Sequence, residues 1–160
     1  MERKIEYNVF FWLVLLMFAA GYLNSSSMVL YSYSISHHTG NMTQVAINLY
    51  KDNLFQASSL IVIILFFFLG GVVSGFILYK HHMRFSKGFG TVLIADGALL
   101  FITNYLTRDI FIRCMTIAFI MGNQNAFLAR YEGMTSRVSH ITGYLTDAAV
   151  YLGRIMRGSK

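Results

Sequence analysis

Proline is missing from all 160 residues, and charge is scarce: 12% of positions are Asp, Glu, Lys or Arg. Without proline, a break in any helix has to come from Gly, Ser, Thr or Asn. An ordinary soluble domain carries roughly 25% charged residues, so half that figure leaves too little charge to cover a water-facing surface. The single cysteine, Cys114, excludes an internal disulfide and reads as a small buried hydrophobe. The chain also lacks a nucleophile–base arrangement, metal-ligand spacing and a phosphate-binding loop. Catalysis, a metal centre and a cofactor are therefore not expected.

What is present is apolar and gathered into blocks. Hydrophobic residues make up 56% of the chain and aromatic ones 16%. A bilayer needs roughly 20 consecutive, mostly apolar residues per helical span. Four stretches meet that standard: Val9 to Leu30, Ala57 to Tyr79, Phe89 to Leu106 and Ile110 to Leu128. The formal charge of +6 sits between these blocks, so it points to a membrane rather than to nucleic acid. His81, His82, Arg84 and Lys87 in the second connection suit anionic lipid headgroups. Ten Lys and Arg residues fall on one side of a four-span arrangement, and only Lys51, Arg108 and Arg113 on the other. By the positive-inside rule, both termini are expected in the cytoplasm, with the chain multi-pass in the inner (plasma) membrane. A cleaved signal peptide competes for the N-terminus: Arg3 and Lys4 precede an apolar core that ends at Ala19-Ala20-Gly21. The apolar stretch continues past Gly21, which favours a retained span.

One motif occurs twice. Residues 36–49 and 139–152 share seven of 14 positions at an offset of 103: Ser, His, Thr, Gly, Thr, Ala and Leu. Upstream, Gly21 and Asn24 align with Gly122 and Asn125 at an offset of 101. The expected fold is all-α and polytopic, with about four transmembrane helices plus two short motif helices. Residues 1–107 form a first repeat (span, motif, span, span) and residues 108–160 a second (span, motif). Three spans between the copies make the repeat inverted, as in many secondary transporters. By that symmetry the second copy lacks two closing spans, which a partner or second subunit would have to supply if the chain is not a shortened product.

The stretch from Ala20-Gly21 to Thr39-Gly40-Asn41, together with Met121-Gly122-Asn123-Gln124-Asn125-Ala126 and Thr142-Gly143, resembles the YoaK-like family of uncharacterised bacterial inner-membrane proteins. The resemblance covers most of the chain and implies about six spans. An acidic residue usual in that family near Asn24 is absent, and no activity carries over.

Thr39 and Thr142 suit helix N-caps, because a side-chain oxygen accepts from a first-turn amide; Gly40 and Gly143 leave those amides unshielded. Within a bilayer such helix starts must be buried in protein or line a watery cavity, and they attract anions. His37 and His140 are the matched histidines, suited to pairing with an anion or carrying a proton. Without a carboxylate cluster they make a poor metal site. Asn41 follows the first Thr-Gly. Asn24, with Ser25-Ser26-Ser27, and Asn123-Gln124-Asn125 place amides at matched points of two spans and suggest partly unwound helices. Asp96 is the one carboxylate deep in a span, where a charge normally faces the protein interior and has a partner; Asp147 occupies the repeat position of Gln44. Gly71 and Gly75 form a Gly-x-x-x-Gly pair for close helix packing.

The expected substrate-binding set is thus His37, Thr39, Gly40, Asn41, His140, Thr142, Gly143, Asn24, Gln124 and Asn125, with Asp96 and Asp147 for ion or proton coupling. Each of these residues also has a plain structural reading as a cap or an interhelical hydrogen bond. The leading functional expectation is a secondary transporter or permease for a small polar solute, with an anion among the fits. The alternative is a non-transporting assembly partner or sensor that packs with another membrane protein or a second copy. The lipid bilayer is the expected surrounding in either case.

Overall fold

The computed structural model describes residues 7–77 and 87–128, and among them every regular element is an α-helix. In chain order these are α1 (Tyr7–Tyr31), α2 (His38–Tyr50), α3 (Leu54–Ile77), α4 (Lys87–Leu106) and α5 (Ile110–Leu128). Four of them follow the apolar blocks of the sequence, and α2 is the first motif helix. Two are long and apolar enough to cross a bilayer: Val14–Tyr31 within α1 and the whole of α3, with mean hydropathies of 1.4 and 2.8. The apolar part of α4 is the shorter Gly90–Leu106, and α5 is diluted by Arg113 and Asn123-Gln124-Asn125.

The turns are made by short polar side chains. Ser32 and Asp52 end α1 and α2 with positive φ, 59° and 55°. Asn53 starts α3, its Oδ1 accepting the Gln56 amide at 3.2 Å. Asp109 caps α5 by accepting the Phe111 and Ile112 amides at 2.8 and 3.1 Å, the geometry that gives Asp its preference for helix starts. Arg113 then reaches back from α5 to the end of α4. Its guanidinium donates to the Thr107 carbonyl at 2.9 and 2.7 Å and to that of Asn104 at 3.1 Å, occupying carbonyls that a helix terminus leaves without internal partners.

Two antiparallel hairpins result. In the first, Val45 of α2 packs on Ala57 and Leu60 of α3, and the His38 ring lies edge-on to Phe67 at 4.1 Å. In the second, Thr116 of α5 faces Thr103 of α4, and Asn123 of α5 faces Asp96 of α4. Tyr33 joins them, since it packs against the Val45–Ala57–Leu60 cluster while its ring sits 6.2 Å from Phe111. The starts of α3 and α5 therefore lie at the same end of the bundle, and these two helices run in the same direction. The main core lies between them: Ile63, Cys114, Ile117, Ala118 and Met121, with Ala20 of α1 and Ile35 packed on top.

The closest helix contact is between α3 and α5. A Cβ built on Gly70 would overlap the Phe119 carbonyl and approach the Asn123 nitrogen to 2.9 Å, and one on Gly122 would overlap the Phe67 carbonyl. Backbone meets backbone here, so only glycine fits. The sequence pair Gly71 and Gly75 is corrected by one position. Gly71 has ordinary room, 3.8 Å from the Gly122 carbonyl, whereas Gly70 and Ser74 form the buried small-residue pair. The expected unwinding at Asn24–Ser27 and Asn123–Asn125 also does not occur, because α1 and α5 run through both stretches. Asn24 and Asn125 bond without it; Asn125 donates to the Met121 carbonyl at 2.9 Å, one turn back.

Candidate functional site

The start of α2 is built from the end of α1. After Tyr31 the chain turns back, and Oδ1 of Asn24 accepts the Ile35 and Ser36 amides at 3.1 and 3.2 Å and the Ser34 hydroxyl at 3.4 Å. Asn41 of α2, itself buried, closes the other side by donating to the Ser34 carbonyl at 2.7 Å. Two amides thus hold the link between α1 and α2 by its backbone. The Ser34 hydroxyl accepts the His37 amide at 3.2 Å.

This arrangement corrects the expected cap. The helix begins at His38 with His37 in the N-cap position, and no side chain caps it. Thr39 is already in the first turn, where its carbonyl accepts the Thr43 hydroxyl at 3.2 Å. The Asn41 amide, which a Thr39 cap could serve, already donates to the His37 carbonyl at 3.1 Å. His37, Thr39 and Gly40 are exposed. Asn24 and Asn41 act as clamps between α1 and α2, which accounts for both amides without a ligand.

His38, the neighbour of the matched histidine, turns inward. Its ring packs on Phe67, and both ring nitrogens are buried without a hydrogen-bond partner. Phe67 lies 13 residues into α3, about 20 Å from the helix start at 1.5 Å per residue. The motif helix therefore starts deep along α3 and climbs back toward the turn at Lys51 to Asn53.

At the same level, where the backbones of Gly70 and Gly122 pass closely, lies the buried polar pair of the bundle. Asn123 donates from Nδ2 to Oδ1 of Asp96 at 2.9 Å, and the Gln124 side chain lies beside the same carboxyl. Three oxygens remain buried without partners: Asp96 Oδ2, Asn123 Oδ1 and Gln124 Oε1. Buried polar atoms are satisfied in the great majority of native structures, so the five atoms of His38, Asp96, Asn123 and Gln124 that lack a partner among the described residues make this level the candidate site. No group of three or more His, Cys, Asp or Glu residues suited to a metal occurs among the described residues.

Of the expected site residues, the structure brings Asp96 and Gln124 together. Asn24 and Asn41 are committed to the α1–α2 link, and Asn125 donates within its own helix. His140, Thr142, Gly143 and Asp147 lie outside the described residues. Sequence reasoning chose His37 over His38 because His37 recurs in the second copy as His140, whereas Ile141 stands opposite His38. Asn123 was legible as a polar interruption of a span, but nothing in the sequence tied it to Asp96, 27 positions away.

Residues 12–160 match the family described as Protein of unknown function (DUF1275). The chain belongs to this family. The match takes in both copies of the Thr-Gly motif, every described helix after the first turn of α1 and the Asp96–Asn123 pair. The YoaK-like resemblance is consistent with membership of DUF1275. No curated protein and no solved structure matches the chain. Because DUF1275 carries no assigned activity, the roles of its residues in this chain rest on their geometry.

Proposed function

We propose that this DUF1275 protein is a multi-pass membrane protein that moves a small polar solute, with the Asp96–Asn123–Gln124 level as its binding centre. The membrane reading is supported by where the apolar residues point. Only 17% of the α1 span and 22% of α3 is buried inside the structure, so neither behaves as the core helix of a soluble protein. Phe18, Val29, Phe76, Phe101 and Tyr105 stand among many large side chains facing outward, far beyond the apolar patch a soluble monomer normally exposes. A signal sequence is disfavoured for α1, because Ala20 packs into the same core as Ile63 and Cys114.

In that setting α2 is a half-helix. It starts near mid-depth beside Phe67 and returns to the side from which α3 departs, so it enters without crossing. Such a segment is tolerated at membrane depth only when protein or water covers its polar start, and here Asn24 and Asn41 satisfy the backbone. The fold proposed is the inverted repeat, with both termini cytoplasmic. The observation that carries the transport reading is the buried carboxyl of Asp96, held by Asn123 yet left with an unpartnered oxygen among helices that face lipid. A charge at that depth is costly and ordinarily marks a solute or ion path.

The test is osmotic swelling of proteoliposomes in isosmotic solutions of ammonium, amino acids, sugars and phosphate. At least one solute is expected to enter faster than into protein-free vesicles. Asp96→Asn is expected to return that rate to the protein-free value while the protein still elutes as a folded species. If every solute enters at the protein-free rate, the transport reading is wrong and an assembly or sensing role takes its place.

A further inference from the structure

We infer that the Asp96–Asn123–Gln124 level binds an ammonium group, a primary –NH3+ or the NH4+ ion, rather than an anion. The inference deepens the solute-site reading above and rests on it for location only. Its basis is the sign of what is missing. Every unpartnered atom on these three side chains is an oxygen acceptor: Asp96 Oδ2, Asn123 Oδ1 and Gln124 Oε1. The orientation of Asn123 follows from its neighbour, since its NH2 end has to face the carboxylate it bonds at 2.9 Å and its carbonyl end is thereby left over. Asp96 and Asn123 are 4% and 3% exposed, so water does not cover these atoms freely.

An anion brought between these three side chains would meet a carboxylate and two carbonyl oxygens, none of them a donor. A primary ammonium brings one positive charge and three N–H donors with no acceptor. Three oxygens without donors, one of them charged, match that group in number and in charge. The motif-helix start, which by itself suggests an anion, is exposed at Thr39 and Gly40, and its preceding amides are already taken by Asn24 and Ser34.

The experiment is a thermal-stability titration of the full chain in detergent at fixed ionic strength. The chloride salts are those of ammonium, methylammonium, ethanolamine, potassium and tetramethylammonium. A ligand that binds only the folded state raises the midpoint in a saturable way. Ammonium or methylammonium is expected to do so. Tetramethylammonium has the charge but no N–H and is expected to have no effect. The shift is expected to vanish in Asp96→Asn. In Gln124→Leu, which alters a half-buried position and leaves the Asp96–Asn123 bond in place, the apparent Kd is expected to rise about tenfold or more, the loss of one hydrogen bond to a charged group. Ammonium without ethanolamine assigns the site to the free ion, and a response to both assigns it to amines generally. Equal shifts with tetramethylammonium or potassium, no shift with any amine, or an undiminished shift in Asp96→Asn would overturn the inference. Proteoliposome uptake of labelled methylammonium separates the two readings. Binding without uptake leaves the ammonium site standing and removes transport, whereas swelling driven by another solute with no amine binding does the reverse.

Discussion

Gly70→Ala is expected to cost about 3 kcal/mol, the upper end of what overpacking usually does, and Gly70→Leu to prevent recovery of folded protein. At Gly70 the added Cβ meets the Phe119 carbonyl and the Asn123 nitrogen. These are main-chain atoms of α5 that cannot rotate away as a side chain would, so the two helices must separate. Separation opens the core around Ile63 and Met121 and disturbs the Asn123 side chain on which Asp96 depends. Gly71→Ala is the control, because its Cβ would have ordinary contact at 3.8 Å. It is expected to be neutral or slightly stabilising, since alanine favours a helix by up to roughly 1 kcal/mol over glycine. Cys114 supplies the readout. Its thiol is fully buried between α3 and α5, so it is expected to resist maleimide in the wild type and in Gly71→Ala and to react readily in Gly70→Ala. Equal protection in both glycine variants would show that the backbones do not pass as closely as described.

Asn123→Leu is the second large effect. Removing the amide leaves Asp96 Oδ1 without its donor, so both carboxyl oxygens are buried and unpartnered. Leaving a buried group in that condition costs about 1–3 kcal/mol, and more if it is charged. Replacing both members by apolar groups removes the unsatisfied atoms altogether. The double variant Asp96→Leu/Asn123→Leu is accordingly expected to be more stable than Asn123→Leu alone, by about 1 kcal/mol or more, though without any solute response. The check is a double-mutant cycle on thermal or denaturant midpoints. Strictly additive single effects would mean that the 2.9 Å contact between Asp96 and Asn123 contributes nothing.

The helices were legible because apolar blocks of about span length leave little choice of element. α5 spans the same residues as its block, Ile110 to Leu128, and α4 ends with its own at Leu106. The turn residues were harder to read. Thr39-Gly40 looks like a helix start, and the true start two residues earlier follows a link held by Asn24, whose carbonyl oxygen reaches the Ile35 and Ser36 amides across 11 and 12 positions. The same limit applied to glycine. Gly71 and Gly75 have the spacing for close packing, but which face of α3 meets α5 is set by Ile63 and Ile117 meeting in the core, and that face carries Gly70. Asp96 stood out in the sequence as a carboxyl within an apolar block. Its partner did not, because the pairing arises only when α4 and α5 fold against each other about the Asp109 turn. Duplication misled in one respect, drawing attention to the repeated His37 when the unrepeated His38 is the one buried against Phe67.

The central structural proposal is that α2 enters the bilayer and returns to the side it came from, which, with the N-terminus cytoplasmic, places the turns at Asp52 and Asp109 on the outer face. Single cysteines at those two positions, in a Cys114→Ala background, can be labelled in intact cells with a membrane-impermeant maleimide. Both Asp52→Cys and Asp109→Cys are expected to react from outside before permeabilisation. Labelling of both only after permeabilisation would mean that α2 crosses completely and carries both turns to the cytoplasmic face. The half-helix arrangement, and with it the site proposed beside it, would then be wrong.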